Sequence, residues 1–169
     1  GMGNDSGELG HNIMDHHFRT GASGKIDGYE DEYYFGRRPN GIYIPRYRNI
    51  SPSTKRNYLR GFGYQGRASR EGWQRGAAEL GIGKNLKDGL TRPGPWQMGI
   101  TAFGECLPYH ENYMKLSDKK DQWGMPIIQV SALFRENEMK MRVDMKNDAV
   151  EMLEKAGFKD INTRDDIGA

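Results

Sequence analysis

The sequence predicts an α+β fold: an antiparallel or mixed sheet with one long C-terminal helix and a few short helices packed on one side. Two observations carry this. Short runs of strand-forming residues, separated by turn signals, occupy most of the chain, and the one long helical repeat comes last. Glu32–Phe35 and Ile42–Arg48 flank Arg37-Arg38-Pro39-Asn40-Gly41, whose Asn-Gly pair is a strong turn signal. Asn57–Gln65 alternates weakly between polar and apolar residues, and Gln97–Leu107 is a strand candidate interrupted by glycine. Tyr113–Leu116 and Ile127–Phe134, joined by the polar Ser117–Pro126, read as a long-looped hairpin. Residues 76–95 are rich in glycine and proline and suggest a short helix followed by a loop. The long helix runs from about Glu136 to Ala156. Ala149, Met152, Leu153 and Ala156 repeat at helical spacing, with Met139, Val143 and Met145 extending the stripe. Gly157 stands where a C-cap glycine belongs.

Composition narrows the class of protein. A chain of 169 residues is one ordinary domain by length. A net charge of +2 gives no global field for nucleic acid or membrane. Mean hydropathy is −0.87, and no apolar run has the length of a membrane span. The polar, Gly-rich start shows no signal-peptide pattern, and Gly1 before Met2 reads as a tag remnant. Residues 1–10 are expected to be flexible, 11–158 to form the domain, and 159–169 to be a disordered or divergent tail. Leu, Ile, Val and Phe make up only 29 residues, so the core is expected to rely on 9 Tyr, 3 Trp and 9 Met. The single Cys106 excludes an internal disulfide and reads as packing. No compartment is assigned by these features.

Several motifs invite chemistry. Gly61-Phe62-Gly63-Tyr64-Gln65-Gly66 has the literal spacing of a dinucleotide fingerprint, but no buried strand precedes it and no helix opening follows it. Glycines in a strand or bend, where another backbone approaches closely, account for it better. Gly81-Ile82-Gly83-Lys84 lacks the remainder of a P-loop. His11, Asp15, His16 and His17 have ligand chemistry, but their spacing matches no zinc motif, and hydrogen bonding at the domain edge is the simpler reading. Residues 37–75 carry ten bases and one acid among aromatic residues. A stand-alone binding module for single-stranded nucleic acid or another anion would look this way. A solvated basic face, with aromatics on the other side of the strands, is the simpler reading, and a surface for anionic substrates or a neighbouring acidic domain is a third.

Three stretches together resemble the glucose–methanol–choline (GMC) oxidoreductases. Ser6–His16 is similar to the segment leading from the family's flavin domain into its substrate domain: Asn12, Asp15 and His16 match, while His11 and Ile13 replace the usual Arg and Leu. Gly104–Leu116, followed by Lys120-Asp121-Gln122-Trp123-Gly124-Met125-Pro126, resembles the family's hairpin. Phe134–Phe158 is similar to the helix that follows it, and the run at 36–49 looks closest to the sugar and sugar-acid dehydrogenase branch.

The resemblance implies a substrate-binding portion of an FAD-dependent enzyme acting on CH–OH groups. It also implies that the flavin-binding and catalytic-His segments lie outside this chain, so that no catalytic residue is carried over and no FAD is bound here. The expected partners are a flavin-binding domain or subunit, facing Asn12, Asp15 and His16, and a sugar-like small molecule. Arg37, Tyr43, Arg46, Tyr64 and Gln65 are the expected substrate-pocket residues. An exposed apolar or aromatic sheet face, and through it a homodimer, is a further expectation. The competing outcomes are a nucleic-acid or anion module and an inactive gene remnant.

Overall fold

A computed structural model describes residues 3–32, 41–71, 82–91 and 94–167. The class is α+β, with every strand pair antiparallel. In chain order the elements are β1 (His16–Ile26), β2 (Ile42–Ile44), a 3-10 turn (Pro52–Thr54), β3 (Phe62–Arg70) and α1 (Lys84–Leu90). They continue with β4 (Trp96–Glu105), β5 (Tyr113–Lys120), β6 (Pro126–Ser131), α2 (Glu136–Lys155) and β7 (Lys159–Asp165). Five strands form one sheet in the order β2-β3-β4-β1-β7, and β5-β6 form a separate hairpin.

One face of the large sheet is covered by α2. Met141, Met145, Ala149 and Leu153 of the helix pack on Ala22, Phe62, Tyr64, Ile100 and Ala102 of the strands. Burying Met and aromatic side chains offsets the shortage of branched aliphatics, since each fully buried side chain of this size contributes roughly 1.5–3 kcal/mol. Met139 and Val143, read as part of the apolar stripe, instead point to solvent. The buried face carries Glu138, Arg142 and Asp148 in their place. Arg142 donates to Asp165 Oδ1 at 2.7 and 3.0 Å, to Phe18 O and to Asp166 O. Glu138 accepts from the backbone N–H groups of Leu107 and Arg135 and from Tyr109 Oη. Burial works against its charge, but these donors hold its carboxyl below the usual carboxylate range.

Asp148 and Asp144 tie the 45–60 loop to the helix. Asp148 accepts from Tyr47 and Arg48, and Asp144 from Arg56 and Tyr58. Asn49, in a left-handed conformation at φ 55°, closes that loop by donating to the carbonyls of Tyr58 and Arg60.

Two strands occupy places where none was expected. Residues 159–165, read as the start of a tail, form β7 and pair with β1. The helix is therefore not the last element, and Gly157, at φ 85°, turns the chain back towards the sheet. β1 contains a bulge. Phe18 and Arg19 together oppose Phe103, with Arg19 at φ 67°. The extra residue re-phases the strand, so His17 and Thr20 both face the helix. That irregularity hides the strand's alternation. At the end of the N-terminal segment Gly10 O accepts from Met114 N of β5 at 2.7 Å.

The expected β5–β6 hairpin forms, with β5 extending to Lys120 into the segment read as loop. Opposed pairs Met114–Val130 and Leu116–Ile128 give it one apolar face, and all four side chains are exposed. The 42–48 strand is short, ending at Ile44, and its predicted partner and turn fall mostly on 33–40, outside the described residues. α1 is the short helix expected in 76–95. Among the described residues no helix is long and apolar enough to cross a membrane.

His17 is fully buried, with Nε2 3.3 Å from Met141 Sδ. Burial, with the Arg142 charge adding, lowers its pKa to about 4. The folded state therefore binds fewer protons at this site than the unfolded chain. Stability contributed by neutral His17 is present above pH 6.5 and is lost as pH falls towards about 4. The expected loss is up to about 3 kcal/mol. Urea midpoints measured across that range check this, and His17→Leu should flatten the slope.

Candidate functional site

The helix covers only one side of the sheet; the other side is open. In an antiparallel pair, directly opposed residues share a face. One register row on the open side is Tyr43–Gln65–Thr101–Gly21–Arg164. The next contains Arg67–Gly99–Ser23–Asn162, followed by Ser69 opposite Gln97. Along β3 and β4, polar side chains or glycine fall at every second position except at Phe103, while Tyr64, Ile100 and Ala102 fall between them and face α2.

A cleft of about 630 Å³ lies on this face. Its floor is low because Gly99 has no side chain. A Cβ there would meet only Ser23 Cβ, at 3.8 Å. Its walls are the amides of Gln65 and Gln97, the hydroxyls of Ser23 and Thr101, and the guanidinium groups of Arg67 and Arg164. At one end the rings of Phe18 and Phe103 stack at 5.9 Å with an interplanar angle of 9°. His16 lies 5.7 Å from Phe18 and 5.8 Å from Phe103. The arrangement can do two things chemically: exchange several hydrogen bonds with a polyhydroxylated molecule, and offer an aromatic surface to its C–H face.

The pocket residues expected from sequence separate. Tyr43 and Gln65 stand on the open face. Tyr64 is a correction: the alternation that exposes Gln65 buries its neighbour under α2, where the Tyr64 hydroxyl donates to Met145 O at 2.7 Å. Burial raises its pKa far above the ordinary phenol value. Arg46 sits beyond the end of β2, donating to Arg48 O and Asn49 O and pairing with Glu105 at 3.3 Å, away from the cleft. Arg37 lies outside the described residues. Half-buried Asn12 donates to Glu8 at 2.6 Å, and Asp15 pairs with His16 at 2.9 Å, both of these exposed where the chain enters β1.

Glycines of the 61–66 run sit under other groups. Arg46 lies over Gly61, the Tyr43 hydroxyl over Gly63, and Ile100 against Gly66. All of 62–66 belongs to an antiparallel strand that runs on to Arg70, so no helix opens at these glycines. A dinucleotide phosphate would find no cradle there. Burial pushes the Cys106 thiol up to about 11, so it is not poised as a nucleophile. Among the described residues no group of three or more His, Cys, Asp or Glu is placed to hold a metal. Four bases of the 37–75 stretch are engaged within the fold: Arg46 and Arg60 by Glu105, Arg48 by Asp148, Arg56 by Asp144.

Sequence reasoning missed Arg67, Ser69, Gln97, Thr101, Phe18, Phe103 and Arg164. A signal existed for part of this set, since Gln65-x-Arg67-x-Ser69 and Gln97-x-Gly99-x-Thr101 repeat with the two-residue period of a strand face. No protein-family model matches this chain, and no curated protein matches it.

Proposed function

We propose that this chain is the substrate-binding portion of a GMC-type flavin oxidoreductase acting on sugar-like alcohols. The observation that carries the reading is the bare, polar, glycine-floored face of a sheet whose other face packs against α2. Together with the stacked Phe18 and Phe103, it has the makings of a carbohydrate wall: donors and acceptors for hydroxyls beside an aromatic platform. The glycine run is a strand interior and offers no helix N-terminus to a flavin's phosphates. In this reading FAD and the acid–base chemistry belong to a flavin-binding domain or subunit. The apolar face of the β5–β6 hairpin is a surface that such a partner would cover.

The test is a titration of the chain with D-glucose, followed by amide chemical shifts. Perturbations are expected along Gln65–Ser69 and Gln97–Phe103 and nowhere in 46–60. Gly99→Val should abolish them while leaving the melting temperature within a few degrees, because the new side chain enters open space. Shifts confined to other surfaces, or unchanged by that variant, would reject the reading.

A further inference from the structure

We propose that the molecule associates head to tail, with the acidic turn at 27–32 of one copy seated in a basic groove on the 46–60 loop of the next. The groove has a volume of about 640 Å³ and shares no lining residue with the open-face cleft. Four cations line it, Arg46, Lys55, Arg56 and Arg60, and among the described residues no carboxylate does. Two acids beside it answer part of that charge. Asp144 pairs with Arg56 at 3.0 Å, and Glu105 is shared by Arg46 at 3.3 Å and Arg60 at 4.0 Å. Lys55 is exposed and has no ion-pair partner among the described residues. Four cations against two carboxylates leave two positive charges over. Ile50 and Leu59, both exposed, add apolar surface to the same groove.

The complement lies at the far end of the sheet. Asp27-Gly28-Tyr29-Glu30-Asp31-Glu32 carries four acids and no base. Its backbone is held in place: Glu32 N donates to Tyr29 O at 3.1 Å, and Trp96 Nε1 donates to the same carbonyl at 3.0 Å. Lys159 takes Asp27 at 2.8 Å, but Asp31 and Glu32 are exposed and have no ion-pair partner among the described residues. These two unanswered negative charges match the two surplus positive ones, and the half-exposed ring of Tyr29 can cover Ile50 or Leu59. Ile26 opposes Trp96 at one end of the β1–β4 pair, and Glu105, beside the groove, opposes His16 at the other. The ten residues of β4 separate turn from groove by roughly 30 Å, at about 3.3 Å per residue. The turn therefore cannot fill its own groove. The contact it makes is heterologous and leads to a ring or a filament. A net charge of only +2 opposes such assembly weakly, while the oppositely charged ends orient it.

Sedimentation velocity of the whole chain over a concentration series tests this. The unmodified protein is expected to sediment faster as concentration rises, with an apparent dissociation constant at least about tenfold weaker at about 500 mM than at about 50 mM salt. Neutralising either side, by Lys55→Gln with Arg60→Gln or by Asp31→Asn with Glu32→Gln, should leave folded monomers. Melting temperatures should stay within a few degrees, because all four side chains are exposed. An equimolar mixture of the two variants keeps one intact groove and one intact turn, so it should form a dimer of the two and stop there. An unmodified chain that stays monomeric at low salt, assembly that either variant retains, or a mixture that does not dimerise would overturn the proposal. A short oligothymidylate added to the unmodified chain probes the rival occupant. Its binding, lost in the groove variant and kept in the turn variant while the chain alone stays monomeric, would make the groove a nucleic-acid site instead.

Discussion

Asp165→Ala is expected to destabilise the fold by about 3–5 kcal/mol. Arg142 is among the most deeply buried side chains of the protein, 1% exposed, and Asp165 is the only acid within salt-bridge distance of it among the described residues. Removing the carboxylate leaves a guanidinium that the carbonyls of Phe18 and Asp166 cannot neutralise. The reverse deletion differs in kind. Asp165 is partly exposed and can turn to water. The double variant Arg142→Met with Asp165→Ala removes the buried charge and keeps most of the side-chain volume. It should recover more than half of the loss. Denaturant unfolding of both variants and of Arg142→Met closes the cycle. Additive single and double effects would show that the pair is not coupled.

Gly21→Val is expected to prevent stable folding, at a cost at or above the top of the range of about 1–3 kcal/mol for overpacking. Gly21 lies on the open face of a central strand, opposite Thr101 of β4 and one register row from Gly99, but the two glycines are not equivalent. A Cβ at Gly21 would run into the Ile100 carbonyl oxygen, and backbone can move away only by breaking the β1–β4 ladder. A Cβ at Gly99 meets no such obstacle. The two Gly→Val variants, compared by circular dichroism melting, should therefore separate: one unfolded or aggregated, the other folded with its cleft filled. A folded Gly21→Val would mean that β1 and β4 are spaced more loosely than described.

The fold class was legible because turn signals, short strands and a long helical repeat are local features. β4, the β5–β6 hairpin and α2 were found near their actual positions for that reason. β1 was not found, because the bulge at Phe18 and Arg19 breaks the period on which such reading depends. β7 was not found either. Lys159–Asp165 has one apolar residue, Ile161, and its edge position beside β1, the packing of Ile161 on the core and the Arg142–Asp165 pair make it a strand. The helix stripe was misplaced at Met139 and Val143 since three of the buried helix positions are charged residues with partners far along the chain.

The site follows the same division. Tyr43 and Gln65 were reachable from strand alternation, and so were Arg67 and Thr101 in principle. Tyr64 was misassigned because the aromatic type suggested a pocket while its place in the alternation put it inside. Arg164 and Phe18 reach the cleft only through β7 and the bulge, both of which depend on tertiary pairing.

The position of β1 between β4 and β7 has a consequence for how the molecule comes into being. Thr20 hydrogen-bonds to a residue 145 positions later in the chain. A polypeptide leaving the ribosome at about 5–20 residues per second exposes β1 well before either neighbour has been made. Closing loops of that length delays native pairing, placing this topology among slow folders, on a timescale of milliseconds to seconds. Until β4 and β7 arrive, both edges of β1 present unpaired backbone groups, so newly made chains should depend more on holding chaperones than the finished protein does.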